Sequence, residues 1–179
     1  GNLGIEMQTD AHPFTDHKNR IALVHNGHIY NKDALLSKLR RHSLSSVGST
    51  DSEVIAHLIG YYLDKGLTTK KAVKLALGKL EGTWAISIIA ASDPDSIILA
   101  KNGSPLFVGV GNSEQNEFYI GSSTAAFDRN CKSFLSLNDG EIVTVNRNLE
   151  IERSRLEPAS KMERVRGRQV LLEEIMEQP

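Results

Sequence analysis

A strand that is apolar on both faces has to be covered from two sides, and Thr83 to Ala91 is such a run. Trp84, Ile86 and Ile88 fall on one face at the two-residue period of a strand, and Ile89 falls on the other. The run implies a central strand with a packed layer above and below it.

The segments before it supply one such layer. Lys32 to His42 carries Ala34, Leu35, Leu36 and Leu39 at helical spacing, with Lys and Arg opposite. Asn31 stands where a helix N-cap belongs. A second helix begins at Thr50, where Thr50-Asp51-Ser52-Glu53 has the form of a capping box. Its inner face is Val54, Ile55, Leu58, Ile59, Tyr62 and Leu63, and Gly66 stops it. Thr68 or Thr69 caps a third helix with Val73, Ala76, Leu77 and Leu80 on one side, and Gly82 ends it.

Strands follow the helices. Asp93-Pro94-Asp95-Ser96 reads as a turn into a returning strand at Ile97 to Lys101. Leu106 to Val110 and Glu117 to Gly121 form a pair, Ser122 to Asn130 a short helix. Lys132 to Leu137, Glu141 to Asn146 and Leu149 to Arg155 are further strands. Val170, Leu171, Glu174 and Ile175 suggest a last short helix. Helices first and strands afterwards make an α+β chain.

The chain of 179 residues is long enough for one good core. Its net charge of −1 gives no electrostatic reason to expect nucleic acid or an anionic membrane as a partner. No apolar run approaches the roughly 18 residues of a membrane span, and no signal peptide is visible, so a cytoplasmic location is expected. The single cysteine, Cys131, has no partner for an internal disulfide and reads as a core thiol. No Cys–His spacing suggests zinc, and no cofactor is expected.

Val24-His25-Asn26-Gly27-His28-Ile29-Tyr30-Asn31 is the stretch with chemical content. The apolar run from Ile21 to Val24 reads as a buried strand that Asn26-Gly27 turns. A strand delivering an amide side chain and a glycine N–H to one point sets two donors side by side, as an oxyanion hole requires. A plain β-turn fits the same residues. Asp51 has two compatible readings: the helix dipole favours it in a first turn, and there it can also bind an ammonium.

His25-Asn26-Gly27, Asn31 and the run Thr50-Asp51-Ser52-Glu53-Val54-Ile55-Ala56-His57-Leu58 together resemble the glutaminase domain of glutamine–fructose-6-phosphate aminotransferases, which are class II glutamine amidotransferases. Asp10-Ala11-His12-Pro13, Gly103-Ser104-Pro105-Leu106 and the closing Glu174-Ile175-Met176-Glu177-Gln178-Pro179 fit the same family in order. The resemblance implies the four-layer α-β-β-α sandwich of N-terminal nucleophile hydrolases. It implies Asn26 and Gly27 as the oxyanion hole, and Asp51 as the ligand of the glutamine α-amine. It places His12, His25 and Thr50 at the glutamine site. It further implies an amidotransferase domain over residues 1–167 and an exit helix and linker over 168–179. The linker would lead to a sugar-phosphate isomerase domain of the same, homo-oligomeric parent. The activity implied is ammonia supply from glutamine for making glucosamine 6-phosphate from fructose 6-phosphate.

In that family an N-terminal Cys attacks the amide and its own α-amine is the base. Here residue 1 is Gly, and the family's His-Thr-Arg-Trp-Ala-Thr-His-Gly segment, with its carboxylate-binding arginine, does not occur. One expectation is that the 179 residues are joined pieces of a longer, normal enzyme. The other is a pseudo-amidotransferase lacking an N-terminal strand. Losing that strand would bare a sheet edge and a core face, which favours the first. Another class II amidotransferase and a plain binding module are the remaining alternatives.

Overall fold

The computed structural model describes residues 11–42, 44, 50–111, 117–126, 131–146 and 157–158. In chain order they form β1 (Phe14–Thr15), β2 (Ile21–Ile29), α1 (Lys32–Arg41), α2 (Asp51–Asp64), α3 (Thr69–Leu77), β3 (Gly82–Ala90), β4 (Asp93–Asn102), β5 (Phe107–Gly111), β6 (Phe118–Gly121), β7 (Cys131–Ser136), β8 (Ile142–Asn146) and β9 (Glu157–Pro158). A short 3-10 turn spans Thr124–Ala126. The strands form two antiparallel sheets, in the orders β1-β2-β3-β4-β8 and β6-β5-β7-β9. This is an α+β sandwich. Among the described residues it has three layers, helices on the first sheet and the first sheet on the second.

β3 takes the middle of the first sheet, paired with β2 and β4. Trp84, Ile86, Ile88 and Ala90 meet the helices, together with Ile21, Leu23 and Ile29 of β2. Leu39, Ile55, Leu58, Ile59 and Ile86 have no measurable exposure, and burying each such side chain stabilises by about 1.5–3 kcal/mol. Ala85, Leu99 and Val145 turn to the other face and pack on Leu106, Val108, Leu135 and Leu137 of the second sheet and its flanks. The expected cover of β3 on both faces holds only at the Ala85 end. Ile89, at the other end, is 51% exposed.

α2 carries buried residues through most of its circumference because it lies between α1 and α3 and against β1 and β2. Its side toward the strands is cut small, with Ser52, Ala56 and Gly60 at four-residue steps. A Cβ on Gly60 would lie 2.8 Å from Asp16 Cβ and 3.0 Å from His17 Nδ1. An ionic clamp ties the β1–β2 hairpin down at the same place. Arg20 reaches Asp16 Oδ2 at 2.7 Å, Asp64 Oδ1 at 2.9 Å and the Gly60 carbonyl at 2.9 Å. Lys18 and His17 also bond Asp64, each at 2.8 Å. Burial pushes the Asp64 carboxyl up, but the bonds from Lys18, His17 and Arg20 outweigh it and hold it at about 2.

Several local expectations are corrected. Asn26-Gly27 does not turn the chain; both lie within β2, paired with Ala85 and Trp84. Asn31 occupies the cap position of α1 without a side-chain cap bond. Its amide instead grips the loop before β3, donating to the Lys79 carbonyl and accepting from Glu81 N–H. α3 stops at Leu77, and Gly82 opens β3 rather than ending the helix. Asp93 to Ser96 belong to β4, because a register shift at Ile89/Ala90 moves the turn to Ala91-Ser92. The helix expected over Ser122 to Asn130 is described only as the 3-10 turn at Thr124–Ala126. The strand expected at Leu149 to Arg155, the final helix and residues 168–179 lie outside the described residues, as do residues 1–10.

Candidate functional site

The N-terminus of α2 meets the far half of β2, and that junction collects the residues singled out by the sequence. β1 is only two residues long and pairs with Leu23 and Ala22. Beyond it, no strand among the described residues pairs with the outer edge of β2. In an antiparallel strand alternate residues turn their N–H to the same edge. Tyr30 N–H points to the β3 side, where it bonds the Glu81 carbonyl. The odd-numbered residues therefore face outward.

Side chains satisfy these outward donors one by one. Ile21 N–H donates to Asp16 Oδ1 at 3.3 Å, His25 N–H to His12 Nε2 at 3.2 Å, and Ile29 N–H to Asp51 Oδ2 at 2.8 Å. Gly27 lies between the last two, and its N–H meets no acceptor among the described residues. Its backbone sits at φ +139, and a Cβ there would fall 2.1 Å from the Thr83 carbonyl oxygen. Only glycine lets β2 pass β3 this closely. Asn26, Gly27 and His28 are all exposed.

Asp51 is held at the start of α2. Thr50 accepts from Glu53 N–H at 3.3 Å, which is half of a capping box. The return bond from Glu53 is not seen among the described residues; that carboxylate lies 3.7 Å from His57 Nε2. With the helix started at Thr50, the Asp51 carboxylate reaches back to β2. His28 Nδ1 stands 3.1 Å from its Oδ2 and Lys32 Nζ 3.7 Å from its Oδ1. An ionised carboxylate accepts about four hydrogen bonds, so the Oδ1 side retains capacity for another cation.

His12 and His25 converge on one hydroxyl. Ser52 Oγ lies 3.1 Å from His12 Nε2 and 3.1 Å from His25 Nδ1. His25 is buried, and that burial drops its pKa to about 4; the Asp51 charge opposes the shift, while His12 and His28 add to it. The ring is neutral at physiological pH, with its Nε2 buried and without a hydrogen-bond partner among the described residues.

The structure thus brings His12, His25, Asn26, Gly27, Thr50 and Asp51 to one strand–helix junction. Sequence reasoning overlooked Ser52, His28, Lys32 and the Ile29 N–H. A signal for Ser52 was present in the Ser52, Ala56, Gly60 spacing, which marks the close-approach side of α2. Nothing local marks the Ile29 N–H, because it lies on the edge of β2 beyond β1, where no strand among the described residues pairs with it. Cys131 lies buried at the start of β7, in the second sheet.

A family model described as a glutamine amidotransferase domain matches residues 2–129. The glutamine–fructose-6-phosphate aminotransferase (isomerizing) of Methanothermobacter thermautotrophicus is 36% identical over 148 residues, covering 83% of this chain and 25% of that protein. The enzyme of the same name from Chlorobaculum tepidum is 34% identical over 190 residues, 98% of this chain and 30% of its own length. Among solved structures, a glutamine phosphoribosylpyrophosphate amidotransferase from B. subtilis, complexed with ADP and GMP, superposes with a TM-score of 0.52 at 26% identity. It covers 77% of this chain and 31% of that one. The chain therefore spans less than a third of the length of each of these proteins.

Proposed function

Because this chain belongs to the class II glutamine amidotransferase family, we propose that the junction of β2 and α2 binds glutamine and stabilises the oxyanion formed when its side-chain amide is attacked. The observation that carries this reading is the Gly27 N–H, open among the described residues, flanked by two satisfied donors and one residue from the Asn26 amide. As the amide carbon becomes tetrahedral, its oxygen takes up the negative charge. Gly27 N–H and Asn26 Nδ2 donate to it. Collapse of the adduct expels ammonia and leaves an acyl group that water releases as glutamate. Losing one such donor typically costs about 10²–10³ in turnover. Asp51 holds the α-ammonium through its Oδ1 side. Thr50 contributes by starting the helix that carries Asp51, and His12 and His25 complete the wall behind it. The attacking thiolate and its base are the components that none of these residues supplies.

The ammonia is passed on for making glucosamine 6-phosphate from fructose 6-phosphate, on a sugar-phosphate isomerase domain of a homo-oligomeric parent. The two aminotransferases above, each much longer than this chain, support that acceptor. In this arrangement residues 168–179 are the exit toward that domain.

The test is ammonia release from glutamine by the full-length parent protein, with and without fructose 6-phosphate. Asn26→Ala is expected to lower kcat about 100-fold, and Asp51→Ala to raise KM. Release stimulated by phosphoribosyl pyrophosphate and not by fructose 6-phosphate would move the assignment to another member of the family. Unchanged kinetics in both variants, or no release at all, would overturn the site.

A further inference from the structure

We propose that Ser52 is a positioning residue for the oxyanion-binding segment, its hydroxyl relaying the His25 ring to His12 and so fixing β2 at the residue before Asn26 and Gly27. The inference rests on the glutamine-site reading above.

The hydrogen bonds assign the protons. His25 N–H donates to His12 Nε2, so that nitrogen carries a lone pair. Ser52 Oγ lies 3.1 Å from the same nitrogen and shares its single lone pair with the His25 N–H as the second donor of a three-centre bond. A hydroxyl has one proton, which leaves Oγ to accept from His25 Nδ1, also at 3.1 Å. The chain runs from His25 Nδ1–H to Ser52 Oγ–H to His12 Nε2, and closes through the His25 backbone N–H. The buried His25 Nε2, with no acceptor among the described residues, agrees with this. A bare ring nitrogen is tolerated there, whereas a buried N–H without an acceptor is rare. The His25 ring is neutral and protonated on Nδ1.

Three segments meet in this loop of bonds: the residues ahead of β1, the strand β2 and the first turn of α2. The groups facing His25 are His12 ahead of β1, His28 on β2 itself, and Asp51 and Ser52 on α2. Ser52 is 7% exposed and on the small-residue side of its helix. Removing its hydroxyl strands a buried His25 Nδ1–H and uncouples β2 from α2 one residue before the donor pair.

A misplacement of about 1 Å in a site of this kind can cost 100-fold in rate. In the full-length protein Ser52→Ala is expected to lower kcat for glutamine hydrolysis roughly 10-fold with KM nearly unchanged, a loss that Ser52→Thr largely restores. Nitrogen-15 NMR of the histidines is expected to show His25 protonated on Nδ1 in the unaltered protein, and a changed tautomer balance in Ser52→Ala. Unchanged kcat in Ser52→Ala beside an impaired Asn26→Ala overturns the role of Ser52 alone, as does the Nε2–H tautomer at His25 in the unaltered protein. An Asn26→Ala variant with full activity, or a protein that releases no ammonia, overturns the glutamine-site reading beneath it.

Discussion

Gly27→Ala should be among the most damaging single-methyl additions to this chain, and Gly66→Ala provides its control. Gly66 follows α2 at φ +76 with nothing within 4 Å of an added Cβ. Its replacement incurs only the backbone strain of a left-handed residue, about 1–2 kcal/mol. Gly27 sits at φ +139, a region nearly closed to other residues, where strain runs to about 1–3 kcal/mol. Its Cβ would in addition lie 2.1 Å from the Thr83 carbonyl oxygen and 2.8 Å from both Thr83 C and Trp84 Cα. All three atoms are backbone of the central strand, so no side chain can swing away. Forcing such a contact adds about 1–3 kcal/mol. The sum, about 4 kcal/mol, corresponds to roughly 10 °C in Tm for a domain of this size, against roughly 4 °C for Gly66→Ala. Urea unfolding followed by far-ultraviolet circular dichroism measures both. A Gly27→Ala protein no less stable than Gly66→Ala would refute the close passage of β2 across β3.

Acid should weaken the fold through His25. Its folded pKa is about 4 against 6.5 for the free residue. Between those values the unfolded chain holds a proton that the folded chain does not, so this stability is complete above pH 6.5 and is lost as the pH falls toward 4. His57, also lowered by burial, acts in the same direction. One such group contributes up to about 1.4 kcal/mol per pH unit; equal urea midpoints at pH 7 and pH 5 would contradict it, and His25→Gln should flatten the dependence. Arg20→Ala leaves the fully buried Asp16 carboxylate with backbone donors only. A loss of about 3 kcal/mol is expected, and Arg20→Lys should recover only part, since an ammonium cannot serve Asp16, Asp64 and the Gly60 carbonyl together; a change under about 0.5 kcal/mol would discount the clamp. Asp51→Asn should weaken glutamine binding in isothermal titration while costing about 1 kcal/mol of stability; lower stability with unchanged affinity would leave Asp51 as a helix starter only.

The periodic elements were legible in the sequence because one face decided each of them. Leu35, Leu36 and Leu39, or Trp84, Ile86 and Ile88, repeat at the spacing that burial on a single face demands. Thr50 marked its helix start to the residue. Asn26-Gly27 was misread as a turn because the dipeptide's local preference is strong, and only the pairing with Ala85 and Trp84 overrides it. Asn31 was placed at the right position but given the wrong partner, since Lys79 and Glu81 approach it only in the folded chain. The site divides in the same way. Its amide, its glycine and its acid are side-chain or backbone identities that a sequence spells out. The edge that arranges them is a matter of which ladder positions of β2 lie beyond β1, and only the pairing in the folded chain decides that.

An uncovered strand edge ordinarily invites a second molecule to add a strand, the first step toward aggregation. Strand addition needs a row of donors and acceptors in register, and along the outer edge of β2 three of the donors are already taken. Asp16, His12 and Asp51 arrive from three separate segments and occupy its donors at Ile21, His25 and Ile29. Among the described residues, what is left open at Gly27 is one N–H donor, enough to hold a single oxygen atom. The side chains that leave one donor for a small substrate also take up three that a strand from another copy of the chain would need.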